Sequence, residues 1–492
     1  MESSPSALLK LLVPKTPFIL KTAVAHTLSL SSTSSKWDLR TEITVKFLRD
    51  MLGPKNKPWS ITKSQRLTIK DPGVKGKVWV SKVRFNCGGE GEDDVRQLLF
   101  KAVEDMCTGA REERETWTKP EARPLEAEWT GYRAGVSDNE PEPANLSKKE
   151  KYDNLMKETS SKVTVMYFHG GAMYLLDPAA YRPIVGRIAK ENGGRVFNVR
   201  YRLSPQNPFP AALLDAFTAY LGLLHPPEGS PHEPVPANDI VFSGDSAGGI
   251  LCTALLQLLL QFHRSNPDPT SLPKVKWYGK DVEIPLPAGL ALVSPWLDTT
   301  RSLPSIENFA KYDYLPTPTQ TRGVRFPPCE AWPAKPPRAD LFSDGSAMCH
   351  PFVSPIMAKD WTNAPPVFFS VGQEMLRDEA AVLARRLHSQ GVKVAWREFE
   401  AMPHVFAVIL EVNPASRVHY EEYARFCREA VEGKVGQSSG EFVLAKSLRR
   451  EAVDVGSVTG LGDEEVERLC REGMGEIIRR HGDAAQEAKP ML

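Results

Sequence analysis

The middle of the chain carries short, nearly unbroken apolar runs at residues 163–168, 240–242 and 366–372, the pattern of strands buried on both faces of a sheet. Helical spacing takes over between and after them. Ile250, Leu251, Ala254, Leu255, Leu258, Leu259 and Phe262 recur at intervals of three and four, and residues 380–390 predict a helix that leads into another strand at 392–399. The flanks are more mixed. Residues 42–51 and 95–106 have helical spacing, 78–80 and 83–85 predict extended segments, and 134–150 reads as an exposed loop because Asp138, Asn139, Glu140, Pro141, Glu142 and Pro143 follow one another. Prolines and aromatics crowd 299–355, and the last sixty residues are highly charged, with one helical stretch at 464–480. No internal repeat is visible.

One boundary in this pattern carries chemistry. The run at 240–242 passes through Gly244-Asp245-Ser246-Ala247-Gly248 straight into the helical pattern. Strand, tight turn and helix are the setting a G-x-S-x-G motif needs, since the glycines remove colliding side chains and the turn pushes the serine hydroxyl out at the strand's carboxyl end. Ser246 is therefore a candidate nucleophile, with an ordinary helix-opening turn as the plain alternative. A serine hydroxyl also needs a base, an acid to orient that base, and donors for the developing oxyanion. The strand pattern at 163–168 runs into His169-Gly170-Gly171-Ala172, whose backbone N–H groups can turn toward a carbonyl oxygen, and the residue after the nucleophile, Ala247, offers another. The run at 366–372 delivers Glu374 and Asp378, and the run at 392–399 delivers His404. Serine, acid, histidine differs from the chymotrypsin-like and subtilisin-like orders.

Three blocks give the chain a specific resemblance: Tyr167-Phe168-His169-Gly170-Gly171-Ala172, then Tyr201-Arg202-Leu203-Ser204-Pro205 through Pro208-Phe209-Pro210-Ala211-Ala212 to Asp215, then Gly244-Asp245-Ser246-Ala247-Gly248-Gly249. With Ser294-Pro295-Trp296-Leu297-Asp298, the acidic stretch 374–379 and the His404 loop, they make residues 160–410 resemble the hormone-sensitive-lipase-like branch of the α/β-hydrolases. The long, elaborated form is similar to fungal members. The resemblance implies an α/β-hydrolase fold, a mostly parallel central sheet flanked by helices and covered by a cap. It also implies a carboxylic-ester hydrolase in which Ser246 attacks, His404 is the base, and the N–H groups of Gly170, Gly171 and Ala247 form the oxyanion hole, with Ala172 an alternative donor. In such families the H-G-G histidine, here His169, orders its loop, and an aspartate like Asp215 is structural; Asp245 reads as a turn residue. Two positions depart from the family pattern. Its third loop glycine is Ala172 here, and the first acid of its D-x-L-x-D-E block is Glu374. Glutamate is one methylene longer yet can still accept the imidazole N–H. Asp378, at the block's second acidic position, is the rival, and Glu374 is favoured.

These boundaries predict 1–160 as an N-terminal extension contributing to a cap, 161–298 and 356–431 as the two parts of the hydrolase core, 299–355 as a cap insertion, and 432–492 as a peripheral extension. Composition adds exclusions. Lys and Arg total 62 against 61 Asp and Glu, so no global basic field points to nucleic acid. The 7 scattered cysteines show no metal-ligand spacing and no disulfide framework, which favours a reducing, intracellular and cytoplasmic setting. His350 reads as a surface or packing residue. No metal or organic cofactor is required. Near the amino terminus Leu8, Leu9, Leu11, Leu12 and Val13 are interrupted by Lys10, Lys15, Pro14 and Pro17, too early for a membrane span. Two readings of that stretch stand, a helix covering the acyl pocket and an amphipathic contact with a lipid surface, the first favoured. The expected partner is a small-molecule ester. Competing functions are a catalytically inactive ligand-binding protein on the same fold, and an amidase or lactonase with the same triad.

Overall fold

Alternation along the central strands divides the interior into two apolar layers. In the computed structural model, which describes residues 13–86, 92–107 and 115–487, strand β3 (Thr164–Phe168) sends Met166 and Phe168 into one layer and Val165 and Tyr167 into the other. Strand β5 (Ile240–Asp245) divides Ile240 and Phe242 from Val241 in the same way, as the two-residue period of a strand requires. Helices Ala211–Leu224, Ala247–Arg264 and Arg377–Ser389 cover the first layer, and Pro178–Asn192 and Pro414–Val431 the second. Strands covered on both faces have no polar side to show, which explains their continuous apolar runs.

The sheet has ten strands, in the order β1 (Val78–Phe85), β2 (Leu125–Tyr132), β4 (Arg195–Arg200), β3, β5, β8 (Gly289–Val293), β9 (Val367–Gly372), β10 (Val394–Phe399), β11 (Ser439–Val443) and β12 (Arg450–Val453). Every pairing from β4 to β11 is parallel, whereas β1–β2, β2–β4 and β11–β12 are antiparallel. A separate hairpin joins β6 (Lys274–Trp277) to β7 (Lys280–Glu283).

Two expected divisions of the chain are corrected by these pairings. Residues 1–160 are expected to contribute to a cap, but the second half of that segment also supplies the sheet strands β1 and β2, and Phe85, Leu125, Ala127 and Trp129 belong to the main apolar layer. Residues 432–492 were expected to be peripheral, but β11 continues the parallel sheet and β12 closes its edge. The helix Asp463–Glu487 buries Val466 and Cys470, and Asp463 pairs with Arg386 at 3.0 Å. Segment 299–355 does lack long helices, holding the short turns Ser305–Asn308, Ala310–Tyr312 and Gly345–Ala347. Among the described residues no helix is long and apolar enough to cross a membrane. Leu8, Leu9, Lys10, Leu11 and Leu12 lie outside the described residues.

Candidate active site

The elbow is built where β5 ends. Ser246 stands between that strand and the helix Ala247–Arg264 with φ 51° and ψ −120°, a backbone conformation that a side-chain-bearing residue keeps only when its surroundings impose it. Its N–H donates to the Val293 carbonyl (3.1 Å), and its carbonyl accepts from the N–H groups of Gly249 (2.8 Å) and Trp296 (2.9 Å). The flanking glycines are sterically required. A Cβ on Gly248 would lie 2.0 Å from the Phe168 carbonyl oxygen, and one on Gly244 would lie 2.7 Å from the same atom. Their absence lets the end of β3 come against the elbow.

Three side chains from three strand ends meet there. His404 Nε2 lies 2.9 Å from Ser246 Oγ, and its Nδ1 lies 2.5 Å from Glu374 Oε2. Glu374 is fully buried and His404 is 3% exposed. The second Glu374 oxygen accepts the Gly372 N–H at 3.2 Å. Burial works against a charged His404, but the charge and hydrogen bond of Glu374 outweigh it, and the imidazole pKa is raised above its ordinary 6.5. Asp378, the rival acid, is occupied elsewhere: its Oδ2 accepts the Ser305 N–H at 2.9 Å, and its Oδ1 lies 3.4 Å from Arg377. Glu379 accepts the N–H groups of Leu297 and Asp298. Burial first, then the neighbouring Asp298 charge, pushes its carboxyl well above the usual range.

The H-G-G loop corrects one expectation. Gly170 was assigned an oxyanion donor, but its N–H donates to Asp245 Oδ1 and to the Tyr181 hydroxyl, both at 3.1 Å. Asp245 is thus more than a turn residue. It also accepts from the hydroxyls of Tyr167 (2.8 Å) and Tyr181 (2.9 Å), and a Cβ on Gly170 would stand 2.4 Å from its Oδ2. The N–H groups of Gly171, Ala172 and Ala247 have no acceptor among the described residues. Gly171 (φ 110°), Ala172 (φ 52°) and Met173 (φ 64°) form a run of positive φ, so alanine occupies a conformation that favours glycine. His169 is buried, stacks on Tyr201 at 4.4 Å, and points Nδ1 at the Gly170 carbonyl (2.7 Å). Burial holds its pKa down to about 4, so it is neutral. Asp215 accepts from the Arg202 N–H at 2.7 Å and from its guanidinium, away from the elbow.

Several residues at the site gave no signal in the sequence. Asp313 is fully buried. One of its oxygens accepts the N–H of Met375, next to Glu374, at 2.9 Å, and the other accepts the Tyr314 N–H at 2.7 Å. A single aspartate in a Pro-rich stretch carries no periodic or motif cue. Ser294 accepts the N–H of Val405 (3.0 Å), and Gln373 accepts that of Ala401 (3.0 Å), so both brace the His404 loop. The amino-terminal segment reaches the same place. Trp37 Nε1 donates to the Ala401 carbonyl at 2.6 Å, Lys36 pairs with Glu400, and Arg49 donates to the carbonyls of Ala310, Lys311 and Asp313. Tyr314 stands 6.2 Å from the His404 ring, and Tyr174, just past the H-G-G loop, meets Phe326 edge-on at 5.9 Å.

A possible ligand cluster elsewhere is closed. Cys107, Glu115 and His350 each bring a ligand-type atom within 4.8 Å of the others. His350, however, is buried with Nδ1 accepting the Phe352 N–H (3.0 Å), so Nε2 carries the hydrogen and faces the Val103 carbonyl at 3.0 Å. Neither ring nitrogen is left to a cation.

Several known proteins are similar to this chain. A family described as alpha/beta hydrolase fold matches residues 165–408. The chain is 29% identical over 268 residues to an acetyl-hydrolase of Streptomyces hygroscopicus, covering 54% of this chain and 76% of that one. It is 25% identical over 276 residues to an esterase of Acinetobacter venetianus (56% and 77%). A 94-residue stretch is 35% identical to the hormone-sensitive lipase of Mus musculus, covering 19% of this chain and 12% of the lipase. Among solved structures, that of EstE5 soaked with p-nitrophenyl butyrate superposes with a TM-score of 0.51 at 21% identity, over 79% of this chain and 97% of that one. That similarity concerns the fold.

Proposed function

We propose that the chain, whose residues 165–408 match a family described as alpha/beta hydrolase fold, is a hormone-sensitive-lipase-like serine carboxylic-ester hydrolase working through an acyl-enzyme. The observation that carries the reading is the continuous hydrogen-bonded line from Ser246 Oγ through His404 to Glu374. Nε2 takes the proton as Oγ attacks the ester carbonyl, and the Nδ1–H shared with Glu374 steadies the imidazolium. The free N–H groups of Gly171, Ala172 and Ala247 hold the oxyanion, a contribution of roughly 100- to 1000-fold in rate per donor. The alcohol leaves with the proton from Nε2, and water repeats the steps to release the acid. No metal or cofactor enters this scheme.

Tyr174, Tyr314 and Phe326 put aromatic surface beside the H-G-G loop and His404, which favours esters with an apolar acid or alcohol. The helices Thr16–Thr27, Leu39–Leu52 and Ile61–Thr68, together with 299–355, act as the cap, since Trp37 rests on Ala401 in the His404 loop and Arg49 holds the backbone of 310–313 that leads to Tyr314 beside His404. Leu176, just past the H-G-G loop, donates its N–H to Thr68 in the third of these helices at 3.2 Å.

Labelling with a fluorophosphonate tests the nucleophile. The natural chain is expected to be modified and Ser246→Ala to stay unlabelled. Labelling that persists in folded Ser246→Ala would remove Ser246 from the role. A panel of p-nitrophenyl esters then reads acyl-chain preference.

A further inference from the structure

Exposed apolar side chains are unevenly spread over this molecule. Among the described residues fifteen large ones are exposed, and ten of them fall between residues 13 and 70: Val13, Leu20, Val24, Leu28, Leu30, Leu39, Met51, Leu52, Trp59 and Leu67. Leu20, Val24 and Leu28 follow at four-residue intervals along the helix Thr16–Thr27 and its C-cap, and they are 60%, 56% and 62% exposed. That spacing puts them on one face.

Charge is concentrated in the same segment. Residues 13–70 hold eleven Lys and Arg against three Asp and Glu, a net of +8 in a chain whose total is +1. Two of the three acids are already matched, Asp50 by Lys15 and the buried Glu42 by Lys46. Lys21, Arg40, Lys55, Lys57, Lys63 and Arg66 are exposed, and none of them pairs with an acid among the described residues. Lys63 instead sits over the exposed Trp59 ring at 4.5 Å.

We propose that residues 13–70 form a docking surface for an anionic lipid interface. Lysines and arginines would be drawn to negative headgroups while the leucine face and Trp59 enter the boundary between headgroups and acyl chains. Complementary charge separates this occupant from a second copy of the chain, because two surfaces that each present Lys21, Arg40, Lys55, Lys57, Lys63 and Arg66 without a paired acid repel when they meet face to face. The surface adjoins the site through Arg49, whose guanidinium binds the carbonyls of Ala310, Lys311 and Asp313 beside Tyr314. The docking does not depend on the role of Ser246.

Cosedimentation of the full chain with vesicles is the test, comparing phosphatidylcholine alone with phosphatidylcholine mixed with phosphatidylserine. The natural chain and Ser246→Ala are both expected to bind the phosphatidylserine vesicles, weakly or not at all the neutral ones, and less as salt rises from about 0.1 M to about 1 M. Replacing Lys55 and Lys57 together by Gln is expected to weaken binding roughly 25-fold, at about fivefold per lysine. Leu20→Ser with Val24→Ser should weaken binding at both salt concentrations. The Lys55/Lys57 and Leu20/Val24 variants should hydrolyse a short soluble p-nitrophenyl ester as the natural chain does, whereas Ser246→Ala should bind vesicles without hydrolysing it, so docking and catalysis are read separately. No binding of the natural chain to anionic vesicles, equal binding to neutral ones, or full binding by the glutamine variant would overturn the proposal. So would a salt-independent dimer that the serine variant dissolves in the absence of vesicle binding.

Discussion

His404 stands under two opposed influences, and their balance sets a pH dependence. Burial disfavours the imidazolium, Glu374 favours it more strongly, and the pKa is raised. A general base must be neutral, so activity is expected to fall as pH drops through a value above 6.5. Glu374→Gln keeps the side-chain length and removes the charge, leaving burial to dominate. The acid limb of the kcat/KM profile should then move to lower pH, with kcat reduced on the order of 10³- to 10⁴-fold. Asp378→Asn should leave that limb where it is. A pH-rate series on both variants decides the acid, because the reverse pattern would transfer the role to Asp378. Residue-scale reading of the sequence follows the order Ser246, Glu374 and His404 along the chain, and the structure brings these three side chains together at one strand edge. It failed for Gly170, because the direction of an amide depends on a carboxylate from another strand.

At the scale of elements, the elbow depends on how closely β3 and the helix Ala247–Arg264 approach. Gly248→Ala would set a methyl 2.0 Å from the Phe168 carbonyl oxygen, a backbone atom that cannot swing aside. Destabilisation of about 3 kcal/mol is expected, measured by urea unfolding, together with loss of activity because the H-G-G loop and Ser246 would be forced apart. An unfolding midpoint equal to that of the natural chain would contradict the close-approach argument. The buried parallel strands were legible because both faces are covered and polar residues are excluded. The strands β1, β2, β11 and β12 were harder to assign to the sheet. Arg450–Val453 is mostly exposed, and Leu125–Tyr132 holds Glu126 and Glu128 among its apolar residues. Pairing with distant partners, rather than local pattern, makes them part of the sheet. Glu128 is kept inside by Arg182, whose guanidinium meets it at 2.6 Å.

The molecule as a whole has a net charge of +1 that conceals +8 in its amino-terminal segment. A sum over the chain could not reveal this, whereas burial along residues 13–70 exposes which charges remain uncompensated. The same segment is fastened to the far end of the hydrolase core by Trp37 and Lys36. Trp37→Phe keeps an aromatic ring but removes the five-membered half of the buried indole and leaves the Ala401 carbonyl without its donor, the donor alone at an expected cost of about 1–3 kcal/mol. Calorimetry checks this, and an unchanged melting temperature would show that the indole N–H carries no weight. The contact joins residues 364 positions apart. At about 5–20 residues per second of synthesis, Trp37 waits roughly 20–70 s for the backbone it will rest on. Throughout that interval the segment bearing Trp37 lacks the backbone it will rest on, and the chain cannot assemble its Ser246–His404 pair before translation has passed the His404 loop.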